Sequence, residues 1–416
     1  MASENSGKFL TQPQGAAKAQ LLGVEAARAL MLEAMSPLAD EPVRLAQARG
    51  RVLAQPVVAS RDQPPFAVSA MDGYAVRAAD TPGALQLVGE SAAGRGFVGT
   101  LAAGQTVRIS TGAPVPDGAD AVAIQEDVTR DGDVVTAPPT KFDLNIRPRA
   151  GDFARGAVLL EAGRRLDGVS LSLAAAAGDA SLRVRRRPRI AILCSGDELV
   201  APGETPGPFQ IFESGTIGVG ALIEQWGGIA ERLAIARDDQ AAIAEAAERG
   251  LREHDLLVVI GGASVGDHDH AKPALRKLGL ETVVDKIAVR PGKPTWFGVT
   301  PLGHVLGLPG NPASALVCAQ LFLWPLMQRM AGRSGEVRFQ AARLAQALPA
   351  NGNREHYLRA RLAPDAEGRL VAHAHEDQDS SLLSVFAAAN ALIRLPAGAP
   401  AQAPGALVQV LPLEPE

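Results

Sequence analysis

The stretch Leu256-Leu257-Val258-Val259-Ile260, Gly261-Gly262-Ala263-Ser264-Val265-Gly266, Asp267-His268-Asp269 decides the fold. Five apolar residues bounded by glycine read as a strand buried on both faces. Gly261, Gly262 and Gly266 permit positive φ and carry no side chain, so a ligand can approach the backbone closely. A helical pattern begins near Ala271 and runs to about Leu278. Strand, glycine loop and helix start together make an anion site, because unpaired amides and the helix dipole point at the ligand. Gly261, Gly262, Ser264 and Gly266 are its candidate substrate contacts. Asp267 and Asp269 offer hard oxygen ligands of the kind Mg²⁺ takes. Taken alone, the loop is weak evidence, because a tight structural turn can carry the same glycines.

The flanking sequence supports a site. Strand patterns at Ile190–Cys194, Leu233–Ala236, Thr295–Gly298 and Val305–Leu308 alternate with helical patterns at Thr216–Trp226, Gln240–Glu253 and Pro312–Met330. That alternation predicts an open, mostly parallel α/β sandwich over residues 188–332. Upstream, residues 1–18 read as a flexible tail, and Val24, Ala27, Met31 and Ala34 follow helical spacing. Residues 58–149 switch to short alternating runs between Gly, Pro and Asp turns, which predicts an inserted β domain. Residues 150–187 carry an alanine-rich helix near Ser170–Ala177. It is expected to pack on the N-terminal helix, joining 19–57 and 150–187 into one discontinuous domain. From 333 to 416 alternation returns, as in Tyr357-Leu358-Arg359-Ala360-Arg361, predicting a C-terminal β domain.

Composition bounds what the chain can do. At 416 residues it holds about three or four domains of ordinary size. Its net charge of −4 makes no case for nucleic acid or for an anionic membrane surface. No apolar run approaches the ~20 residues of a membrane span. Cys194 and Cys318 lie in apolar runs and read as core residues of a reducing compartment, so the expected location is cytoplasmic. Of 41 basic residues only seven are lysine, and four of these are Lys272, Lys277, Lys286 and Lys293.

In an open parallel sheet, ligands sit beyond the carboxyl ends of the strands. Three loops leave such ends: Ser195-Gly196-Asp197-Glu198, Arg237-Asp238-Asp239 and the glycine loop itself. All carry acids, and their convergence is repulsive unless a cation is shared. Asp238 and Asp239 read equally as caps of the following helix. The segment Lys286-Ile287-Ala288-Val289-Arg290-Pro291-Gly292-Lys293 sets three cations about a Pro-Gly turn, with strand alternation placing Lys286 and Arg290 on one face. Leu308-Pro309-Gly310-Asn311-Pro312 puts another glycine at a helix start, with Asn311 in the N-cap position. His268 and His270 alternate on a loop without an evident third ligand, which is a poor transition-metal pattern.

Gly-Gly-Ala-Ser-Val-Gly-Asp (261–267), Val-Arg-Pro-Gly-Lys-Pro (289–294) and Gly-Leu-Pro-Gly-Asn-Pro (307–312) resemble the pterin-binding domain shared across molybdenum cofactor biosynthesis. Ser69-Ala70-Met71-Asp72-Gly73-Tyr74-Ala75 and Thr111-Gly112-Ala113-Pro114-Val115-Pro116 are similar to signatures of the molybdopterin molybdenumtransferases, a family that includes the E domain of gephyrin. The resemblance spans about residues 20 to 415. It implies insertion of molybdenum from molybdate into adenylylated molybdopterin with release of AMP. It also implies a four-domain homodimer, with the site between the α/β domain of one subunit and parts of the other, and transient contact with the molybdopterin adenylyltransferase.

By motif, the resemblance carries functional roles to Asp72, Thr111, Asp152, Glu198, Asp238, Asp269, Lys286, Arg290, Lys293, Arg359 and Ser380. It adds Pro309, Gly310 and Asn311 as substrate contacts, and Asp269, Asp238 and Glu198 as Mg²⁺ ligands. Arg290 stands where the family often has lysine, and Glu213-Ser214-Gly215 stands where it usually has Asp-Ser-Asn. Two other readings compete: adenylylation of molybdopterin, which the β region argues against, and a non-catalytic pterin scaffold.

Overall fold

The computed structural model describes residues 21–261 and 270–413, which divide into two compact units, 40–185 and the remainder. Gly262, Ser264, Gly266, Asp267, His268 and Asp269 lie outside the described residues.

The larger unit is built on a six-stranded sheet. Its order is Ile229–Arg232, Arg189–Cys194, Leu256–Ile260, Gly303–Leu308, Trp296–Thr300 and Glu281–Val284. The first four strands run parallel, and the last two pair antiparallel. Leu256–Ile260 is central and wholly buried, because helices cover both faces. Its even-numbered residues join a core with Ile190, Ile192, Leu306 and the helices Gly215–Gln225 and Pro312–Met330. Its odd-numbered residues pack with Ala191, Leu193, Val305 and the helices Gln240–Glu253 and Ala271–Lys277. Alternation of period two thus splits one apolar run between two cores. Trp296 is fully buried against Gly307, where an added Cβ would lie 1.9 Å from the indole Nε1.

Three sequence expectations need correction. The strand expected at Leu233–Ala236 lies earlier, at Ile229–Arg232, and Ala236 keeps only a single bridge to Ser195. Register with Arg189–Ile192 fixes the strand there, while Leu233 and Ala236 turn into the core. The helix at Val24–Glu33 does not belong with the helix at Gly168–Ala177. Its Val24, Ala27 and Met31 stripe joins the α/β core, and Arg28 Nε donates to the Leu321 carbonyl at 3.2 Å. The helix from Pro312 is interrupted by a wider turn at Ala319–Leu323, ahead of Pro325, which has no N–H to donate into a regular α-helical ladder.

The C-terminal strands close on themselves in the order Glu355–Pro364, Leu370–Ala374, Gln340–Leu344, Leu407–Pro412, Ala391–Leu395, the last pairing back to the first. The barrel has its own core of Leu344, Leu358, Ile393 and Val410, among others. The short strand Val289–Arg290 adds to it in parallel, setting Arg290 opposite His356.

In the smaller unit, Asp40–Arg44 pairs antiparallel with Ser181–Arg185 beside the helix Gly168–Ala177. A six-stranded sheet contains Gly73–Val76 between Ala121–Ile124 and Gln105–Ile109. Gly73 is required here, because a Cβ would fall 2.0 Å from the Ala123 carbonyl oxygen. Among the described residues, no helix is long and apolar enough to cross a membrane.

Candidate functional site

Register sets the site. Cys194 pairs with Ile260, and Ile260 with Leu308, so three parallel strands end level. The loops that follow, at Ser195, Gly261 and Pro309, therefore emerge side by side at the carboxyl rim. A cleft of about 920 Å³ opens there. Gly261 has φ of +88° and faces Gly310; a Cβ on Gly310 would come into contact with the Gly261 Cα at 3.5 Å. This pair of bare backbones lets a ligand approach the loop start and the helix start together.

Of the sequence-derived candidates, Gly261, Pro309, Gly310, Asn311, Glu198, Asp238, Arg290, Lys293 and Ser380 line this cleft. Lys286 does not; it is half-buried off the rim. Only Val289 and Arg290 form a strand, though Ile287 and Val289 are buried and their neighbours more open, as alternation requires. Lys272 is also outside the cleft, paired with Asp285 at 2.5 Å and lying over the Trp296 ring at 5.4 Å. The backbone N–H groups of Asp197 and Asp238 each donate to the other's carboxylate at a long 3.4 Å, whereas Asp239 caps the helix by accepting from Ala241 N and Ala242 N. The two acids that sequence left ambiguous thus separate, with one at the cleft and one at the cap.

Asn311 occupies the N-cap position but makes no capping bond. Its Nδ2 donates instead to the Ser380 Oγ at 2.9 Å, tying the helix start to the barrel loop. Arg359 is 1 % exposed and sits behind that loop. Its Nη1 donates to the Asp379 carbonyl at 2.7 Å and its Nε to the Gln378 Oε1 at 3.2 Å. Arg359 Nη2 has no hydrogen-bond partner among the described residues.

Three features were not foreseen. Arg354 lines the cleft beside Arg290, as does Gln378. His356 is 8 % exposed next to these cations, and burial first, then the charges of Arg290, Arg354 and Arg359, push its pKa down to about 4. Glu213 spends both carboxylate oxygens on Thr216, accepting from its N and its Oγ1 at 2.6 Å each. Its role is to start the Gly215–Gln225 helix, in keeping with a capping carboxylate. Arg354 and His356 escaped notice because only the parallel pairing of Val289–Arg290 with Glu355–His356 brings them to the site.

In the smaller unit Asp72 and Thr111 meet. Thr111 N and Oγ1 donate to Asp72 Oδ1 at 2.7 and 3.1 Å, and these bonds hold the Asp72 carboxyl below the usual range. Asp152 is exposed. Burial pushes the thiols of Cys194 and Cys318 up to about 12, which leaves them unreactive near neutral pH.

Among the described residues, one group of three side chains offers ligand atoms close enough for a shared metal ion: Glu231, Glu253 and His254, away from the cleft. Glu198 and Asp238 present oxygen donors at the cleft, a set that fits a hard divalent cation.

An open α/β sheet with bare glycine backbone, oxygen donors and cations at its strand ends has the architecture of a small-molecule binding domain. Residues 22–178 match the model of the MoeA N-terminal region (domain I and II), 191–329 that of a probable molybdopterin binding domain, and 341–413 that of the MoeA C-terminal region (domain IV). A molybdopterin molybdenumtransferase of a Nostoc species is 35% identical over 375 residues, covering 86% of this chain and 85% of that protein. The Haemophilus influenzae molybdopterin molybdenumtransferase is 34% identical over 383 residues, covering 90% and 94%. A crystal structure of a molybdopterin biosynthesis MoeA protein from Pyrococcus horikoshii superposes with a TM-score of 0.84 at 30% identity, covering 95% of this chain and 100% of that one. The chain belongs to the MoeA family of molybdopterin molybdenumtransferases.

Proposed function

We propose that this chain is a transferase that inserts molybdenum from molybdate into adenylylated molybdopterin, releasing AMP. The observation that carries this reading is the cleft itself, which Arg290, Lys293 and Arg354 line together with Glu198 and Asp238. Molybdate is a dianion, and a cleft with three cations from two segments can hold it through charge-assisted contacts. The bare Gly261–Gly310 backbone and the start of the Pro312 helix suit the substrate's phosphates. Ser380, positioned by Asn311, offers a hydroxyl to the bound oxyanion. The sulfurs that receive molybdenum belong to the substrate, in keeping with two inert cysteines.

Glu198, Asp238 and Asp269 would hold Mg²⁺, which when bound polarises the scissile phosphoanhydride. Asp72, Thr111 and Asp152 would act in a homodimer, completing a site shared between subunits. The division into 19–57 with 150–187, 58–149, 188–332 and 333–416 belongs to the same reading, with the Val24–Glu33 helix reassigned to the α/β part. So do a cytoplasmic location and transient contact with the molybdopterin adenylyltransferase.

The test is to mix purified protein with adenylylated molybdopterin and a divalent cation and follow AMP. Molybdate-dependent release, with molybdenum recovered on the pterin, is expected. Formation of ATP from the adenylate on adding pyrophosphate, the reverse of adenylylation, would replace the reading with an adenylyltransferase, and pterin binding without turnover would replace it with a scaffold. Sedimentation at one chain's mass with full activity would remove the dimer.

A further inference from the structure

His356 stands in an unusual place for a titratable side chain. Its ring makes no hydrogen bond with a described residue, and only 8 % of the residue is exposed. The parallel pairing sets it directly opposite Arg290, which lines the cleft. Arg354, two residues before it and just ahead of the strand Glu355–Pro364, lines the cleft as well. Arg359 is the third charge acting on the ring, and its Nη2 lacks a partner. On the other elements packed against this strand, Arg394 is tied to Glu355, and His373 stands opposite Arg361 farther along. No described carboxylate acts on the His356 ring.

We propose that His356, buried behind the cleft-lining Arg290, supports the oxyanion site of the cleft by taking up a proton when a tetrahedral dianion binds beside Arg290 and Arg354. This rests on the reading of the cleft as the molybdate site. The physical cause is simple electrostatics. In the free protein, burial and three neighbouring cations hold the ring neutral. A dianion offsets the charge of those cations at the ring and leaves burial as the remaining cause, so the ring's affinity for a proton rises and the imidazolium fraction adds positive charge near the anion. The proton comes from solvent, and no bond other than N–H forms. His356 is therefore a positioning residue for charge, acting on the bound anion through the cluster around it.

The test is calorimetric titration of the full-length protein with dilute sodium molybdate at pH 6, in two buffers of different ionisation heat. The difference gives protons taken up per anion bound. Wild type is expected to take up a few tenths of a proton or more, and His356→Gln close to none while still binding molybdate about 3- to 10-fold more weakly. The deficit should shrink by pH 8, where a proton is scarcer; a merely structural loss would not depend on pH. Equal uptake in His356→Gln, or binding by wild type without uptake, overturns the inference and leaves the cleft reading intact. Failure of wild type to bind molybdate, with or without the pterin adenylate, overturns the cleft reading itself. If His356→Gln does not fold, the His356 ring signals of selectively labelled wild type decide: titration must move to higher pH on adding molybdate, and an unmoved midpoint overturns the inference.

Discussion

Two clefts of nearly equal size lie side by side on the α/β sheet, with Leu199 and Glu213 lining both. The strand-end cleft, about 920 Å³, carries Arg290, Lys293 and Arg354 on segments from two domains. Its neighbour, about 900 Å³, runs along the edge strand Ile229–Arg232. Asp197, Glu204, Glu213, Glu224 and Glu231 line it, against Arg232 and Arg237. Volume does not separate the two. Charge does, because a dianion meets three cations against four acids, Glu198, Glu213, Asp238 and Asp379, in the first cleft, and two cations against five acids in the second. The difference also has a topological origin. One cleft collects the ends of level parallel strands, where loops converge, while the other has only a sheet edge.

The comparison breaks most readily by reversing charge. Lys293→Glu should raise the molybdate concentration for half-maximal AMP release by about 100-fold, or ~2.7 kcal/mol, whereas Arg232→Ala in the neighbouring cleft should change it less than about twofold. Equal effects in the two clefts would remove the distinction. Lys286→Ala, off the rim, should shift the midpoint by only about threefold.

Acid sensitivity should be the next largest effect. Folding holds the pKa of His356 down to about 4 from an ordinary 6.5. Below pH 6.5 the unfolded chain takes a proton that the folded ring refuses until about pH 4, so stability falls as pH drops through that window. His304 is shifted in the same direction by burial, which adds to the slope. His356→Gln should therefore recover up to about 3 kcal/mol at pH 4 relative to its effect at pH 7. Denaturant midpoints at the two pH values measure this.

Glu213, on the wall between the clefts, should matter to folding more than to chemistry. Glu213→Ala leaves the buried Thr216 N and Oγ1 without their acceptor and should cost about 2 kcal/mol of stability by urea denaturation. Smallest is Asn311→Ala, which removes one exposed bond to Ser380. It should cost about 1 kcal/mol, read as a roughly fivefold rise in KM for the pterin adenylate with little change in melting temperature.

How much of this could be read from the sequence differs between the same two regions. The central strand and the Gln240–Glu253 helix fall where their patterns place them, because local apolar periodicity decides both. The edge strand slips to Ile229–Arg232, because hydrogen-bond register with its neighbour outweighs the more apolar run at Leu233–Ala236. Glycines, Asn311, Arg290 and Lys293 announce the strand-end cleft through their motifs. Arg354 and His356 do not, since a pairing between distant short segments has no local signature. Asn311 shows a subtler limit: its position is a helix cap, yet its side chain bonds the barrel loop, a choice only tertiary context makes.

Use of molybdate in the strand-end cleft is best checked by titrating molybdate against AMP release in wild type, Arg290→Ala and Arg232→Ala, with binding of the pterin adenylate measured in parallel. The expected result is a midpoint raised at least about tenfold in Arg290→Ala, near-normal adenylate binding, and an unchanged Arg232→Ala. An unchanged molybdate midpoint in Arg290→Ala, with adenylate binding lost, would contradict it and give that cation to the phosphates.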